Sequence, residues 1–88
     1  MYEWDSEKNK RLFRERGVSF DMVVAAIEGG GLLDIIQNKK PREHQRLYVV
    51  RIDAQVYVVP TVSDSTKVFL KTIYPSRNMK KKYEKASK

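Results

Sequence analysis

Three residues near the end of this 88-residue sequence stand six positions apart, and their types could do chemistry at a phosphate: Lys71, Arg77 and Tyr83. Arg77 follows Pro75 and Ser76, just past an expected strand. There its planar, permanently ionised guanidinium could meet two phosphate oxygens with directed hydrogen bonds. Lys71 and Tyr83 can give or take a proton, and Tyr83 could also stack on a base. Each has a plainer reading: Arg77 as a solvated surface charge, Lys71 as an edge-strand lysine that discourages aggregation, Tyr83 as a ring packed on a sheet. His44 is of the type suited to acid–base work at neutral pH but sits in a polar loop. Glu15 could be a base beside Arg14 or Arg16, or an ordinary helix-surface acid.

The charge around these residues is uneven. Residues 1–38 hold five Lys/Arg against seven Asp/Glu, a net of −2, whereas residues 39–88 hold thirteen against four, a net of +9. The whole chain is +7. A field of this kind suits a polyanion, because cations on a phosphate backbone release its counterions. Arg14, Arg16, Lys80, Lys81 and Lys82 are the candidate RNA-binding cations, with Lys85 in the same run.

Other functions are excluded or made unattractive by composition. With no Cys and a single His, the chain has no thiolate or His-rich metal site, so neither a metal nor a cofactor is expected. No apolar run approaches the ~20 residues of a membrane span, and the opening Met-Tyr-Glu-Trp-Asp lacks the pattern of an export signal. The expectation is a cytoplasmic protein with no membrane partner. Eighty-eight residues suit one domain, 1–88, with a modest core and any active site in a surface groove.

Local signals supply the elements that must position the candidates. Tyr2 to Trp4 suits a short strand. Asp5 or Ser6 can cap a helix running to about Arg16, which Gly17 stops. Ser19 caps a second helix, Val18 and Val23 are spaced as a hydrophobic staple, and Gly29 to Gly31 end it. Leu32 to Ile36, Leu47 to Ile52, Val56 to Thr61 and Lys67 to Tyr74 read as strands, and Gln37 to Gln45 as a basic loop. Ser76 can cap a basic helix or tail over about 76–88. The expected fold class is α+β: two N-terminal helices packed on an antiparallel sheet of about four strands, with a short basic C-terminal helix. Trp4, Phe13, Phe20, Val50, Ile52, Val58, Leu70 and Ile73 are the expected core.

Residues 2–20, Tyr-Glu-Trp-Asp-Ser-Glu-Lys-Asn-Lys-Arg-Leu-Phe-Arg-Glu-Arg-Gly-Val-Ser-Phe, resemble the opening of BrnT-type toxins. Trp4, Asp5, Lys8, Gly17, Val18, Ser19 and Phe20 are in register. Ile73-Tyr-Pro-Ser-Arg77 and the basic run ending in Tyr83-Glu84 are similar to the family's second motif. The resemblance implies a RelE-like fold, metal-independent RNA endonuclease activity that arrests growth, and a cognate antitoxin, usually of ribbon-helix-helix type. A homodimer inside the hetero-oligomeric complex is one arrangement it allows. In that setting Arg77, Lys71 and Tyr83 become the catalytic candidates. The sequence departs from the pattern at Leu12, where the family has Asn, and at Glu15-Arg16, where it has Lys-His. The segment between Thr61 and Arg77 is also longer than usual. Glu15 replaces a lysine credited with activity, so the alternative is a catalytically degenerate toxin that serves as an antitoxin-binding or nucleic-acid-binding module.

Overall fold

The computed structural model describes residues 1–86, so Ser87 and Lys88 of the expected basic tail, and the side chain of Lys85, lie outside the described residues. Its first helix, α1 (Ser6–Arg16), starts where the Asp5 carboxylate accepts the Lys8 backbone N–H at 3.0 Å. It stops at Gly17, whose φ of 71° is a left-handed conformation that costs glycine little. Helix α2 (Phe20–Glu28) starts at the Ser19 hydroxyl, which accepts the Met22 N–H at 3.2 Å, and the stapling pair Val18 and Val23 is buried.

Those helices cover one face of a mixed six-stranded sheet, ordered β1-β5-β4-β3-β2 with β6 also on β4. The strands are β1 (Tyr2–Glu3), β2 (Leu32–Gln37), β3 (Arg46–Ile52), β4 (Gln55–Ser63), β5 (Val68–Leu70) and β6 (Tyr74–Pro75). Leu12, Val18, Phe20 and Val23 from the helical layer meet Val50, Val59, Leu70 and Ile73 from the sheet side. Trp4 packs against this cluster, its ring 5.8 Å from that of Phe20. Gly31, after α2, passes so close to β3 that a Cβ there would lie 2.7 Å from the Arg51 carbonyl oxygen.

The α+β class holds, but the sheet is neither four-stranded nor wholly antiparallel. Strand β1 runs parallel to β5, with Tyr2 opposite Val68. A two-residue strand has no periodicity to read, so this pairing had no local signal. The expected strand Lys67 to Tyr74 is split. Leu70 stands opposite Thr61 and Tyr74 opposite Val58, so four steps on one strand match three on β4, the signature of a bulge. Pro60 explains its position. Its carbonyl accepts the Lys71 N–H at 2.8 Å, but it has no N–H to return, so the ladder loosens over Lys71–Ile73.

Helix α3 (Arg77–Ala86) packs on β4, and Met79 and Tyr83 are half-buried. Val49 and Val58 pair across β3 and β4 and, with Val56, are buried outside the α1–α2 cluster, on the sheet's second face. The sheet is therefore sandwiched. Phe13 is a further correction: it is 59% exposed, whereas Leu12 is 4% exposed. Leu12 lies on the side of α1 that Arg16, one turn on, ties to the Ile73 carbonyl, which turns position 13 about 100° away. No helix among the described residues is long and apolar enough to cross a membrane.

Candidate nucleic-acid interface

Lys8 is held near the start of α1 by the Asp5 cap, and Leu12 one turn later keeps its helix face against the sheet. The 38–45 loop is closed by its own backbone. Asn38 N–H donates to the Gln45 carbonyl at 3.0 Å, Arg42 N–H to that of Lys39 at 2.8 Å, and Gln45 N–H to that of Arg42 at 2.9 Å. This closure carries Arg42. The bulge beside Pro60 turns out Lys71 and Thr72, and β6 resumes with Tyr74.

These segments meet around an open groove of about 320 Å³. Lys8, Arg42 and Lys71 supply its positive charge, Tyr74 an aromatic ring, and Asn38, Gln45 and Thr72 polar groups. Among the described residues no carboxylate lines it. The Asn38 side-chain amide donates to that of Gln45 at 3.2 Å, and each amide keeps N–H donors beyond this bond. Lys71 holds its ammonium 6.0 Å from the Phe69 ring centroid, at the limit of a cation–π contact. Three cations with no acid among the described residues favour an anion by charge, and an exposed ring beside them offers a π-face on which a base could stack.

The three catalytic candidates do not converge on this groove. Tyr83 donates its hydroxyl proton to Asp34 on β2 at 2.7 Å. Strand β2 lies three strand spacings from β5, about 14 Å across the sheet. Partial burial, and then the Asp34 carboxylate, push the Tyr83 phenol up to about 12, while the Tyr83 hydroxyl and the Ile35 N–H hold Asp34 below its ordinary value. The hydroxyl is thus committed to a structural bond. Arg77 is exposed in the first turn of α3. Its neighbour Ser76 is tied to Val56 and Lys71 to Pro60, four residues apart on β4, which is about 13 Å.

The RNA-binding candidates are scattered too. Arg16 donates its guanidinium to the Ile73 carbonyl and so anchors α1 to the bulge. Arg14, Lys81 and Lys82 are exposed, and Lys80 lies 3.8 Å from Glu84. Glu15 is exposed on α1, and His44 is exposed in the loop that carries Arg42. Reading the sequence alone misses Arg42 and Tyr74 as partners of Lys71. The available signal was a lone tyrosine between Lys71 and Arg77, each end cationic.

No family model matches the sequence, and no curated protein matches it.

Proposed function

We propose that this chain is the toxin of a type II toxin–antitoxin pair of the BrnT kind, binding RNA in the Lys8–Arg42–Lys71 groove and cleaving it without a metal. The observation that carries the reading is the convergence of three cations and Tyr74 in one groove that no carboxylate among the described residues lines. In the reaction the RNA 2′-oxygen bonds to phosphorus and the bond to the 5′-oxygen breaks, which leaves a 2′,3′-cyclic phosphate and a 5′-hydroxyl. Solvent water takes the 2′-hydroxyl proton as that bond forms, Arg42 and Lys8 offset charge on the phosphorane, and the Lys71 ammonium donates a proton to the leaving 5′-oxygen and regains one from solvent. A RelE-like fold, a cytoplasmic setting and restraint by a ribbon-helix-helix antitoxin belong to the same proposal.

The degenerate reading, a chain that binds RNA or its antitoxin without cutting, draws support from a specific observation. Tyr83 is engaged with Asp34, and among the described residues neither a carboxylate nor a histidine lines the groove to take the 2′-hydroxyl proton. Purified protein incubated with RNA in EDTA decides between the two. Cyclic-phosphate ends that disappear in Lys71→Ala support the nuclease, whereas binding with no new ends supports the binding module. A chain that neither binds RNA nor copurifies with the product of its adjacent gene would be no toxin of this kind.

A further inference from the structure

We propose that Tyr74 is a stacking platform that restricts the groove to unpaired RNA. The inference rests on reading the groove as an RNA site and goes further, because charge alone cannot tell a single strand from a duplex.

Tyr74 is built unlike the other strand tyrosines. Tyr2, Tyr48 and Tyr57 are half-buried and pack against the core cluster, whereas Tyr74 is 39% exposed and is not part of it. Its backbone is nonetheless fixed, since it stands opposite Val58 in the β4–β6 ladder and is followed by Pro75, which pairs with Tyr57. An aromatic ring on a fixed strand, open to solvent and beside Lys71, Lys8 and Arg42, has the parts of a single-strand site: cations for the backbone and a π-face for a base. A paired base is already stacked inside its helix and cannot lie on the ring, whereas an unpaired one can swing onto it. Thr72 and the Asn38–Gln45 amides are then available to the edge of that base. An acidic peptide would satisfy the three cations equally well but would gain nothing from the ring.

The experiment is fluorescence anisotropy with a labelled unpaired RNA and a blunt-ended RNA duplex of the same length, with unlabelled polyglutamate as competitor. Wild type is expected to prefer the unpaired strand. Tyr74→Leu should weaken that binding about 5- to 150-fold and leave duplex binding unchanged, while Tyr74→Phe, which keeps the π-face, should bind like wild type. Equal losses on both RNAs, or no loss, would overturn the proposal. If Lys71→Ala still weakens binding in that case, the groove remains an RNA site without a platform. If neither variant has an effect, the groove reading falls as well. Polyglutamate that competes as strongly as unpaired RNA also overturns the proposal. Should Tyr74→Leu fail to fold, unpaired RNA carrying 2-aminopurine is titrated with wild type. Quenching supports stacking, and its absence refutes it.

Discussion

Removal of Lys71 should be visible first in how salt affects binding. The groove presents three cations, Lys8, Arg42 and Lys71. On a single strand each phosphate neutralised contributes about 0.7 to the fall of log affinity with log salt, so the whole groove contributes about 2.1. A fourfold rise, from about 50 to 200 mM, then weakens groove binding about 18-fold, and Lys71→Ala should reduce this to about 7-fold. Cations elsewhere add equally to both proteins, so the difference in slope stays near 0.7. Lys71 is exposed, and its replacement should change stability by no more than about 0.5 kcal/mol, which circular dichroism can check. The control is Lys10→Ala, because Lys10 is exposed on α1, 3.9 Å from Glu7 and outside the groove. Anisotropy titrations of an unpaired RNA across that salt range supply the slopes. If Lys71→Ala keeps the wild-type slope, or Lys10→Ala lowers it as much, the groove does not bind RNA phosphates as argued.

Asn9→Ala should destabilise the fold by about 1–3 kcal/mol in urea unfolding, because Asn9 accepts the Phe20 N–H at 2.7 Å and donates to Asp21 at 2.8 Å. Gly31→Ala should cost about 1–3 kcal/mol by the same measurement, since its new Cβ would press on the Arg51 carbonyl. The Asp34–Tyr83 bond predicts two pH limbs in the melting temperature. Asp34, held below 3.8, contributes stability above that pH and loses it as pH falls through its folded value. Tyr83, raised from 10.0 to about 12, contributes below pH 10 and loses it as pH rises towards 12. Tyr83→Phe should flatten both limbs relative to wild type.

Much of the helical half was legible because its signals are local. Ser19, Gly17 and the Val18–Val23 staple act within one or two turns of chain, and the structure uses each of them. Residues that meet across the sheet were not legible. Leu12 and Phe13 are adjacent apolar residues on a polar helix, and the tethers at Asn9 and Arg16 fix which of them turns inward. The bulge follows from a proline on one strand acting on its neighbour, so the alternation of Lys67 to Tyr74 by itself reads as unbroken. The groove needed both facts, plus the closure of the 38–45 loop, before Arg42 and Tyr74 could be placed beside Lys71.

The parallel pairing of Tyr2 with Val68, together with the Arg16 bond to the Ile73 carbonyl, has a consequence for when the protein becomes competent during its own synthesis. A ribosome adding about 5–20 residues per second needs roughly 4–15 s to reach Tyr74. Until then Arg16 lacks the Ile73 carbonyl that anchors α1, and Lys8 waits for Lys71. An incomplete chain ending before β5 would carry Lys8 and Arg42 but no groove. Under the proposed function, the ribosome making this chain therefore meets no assembled groove until the last strand is in place.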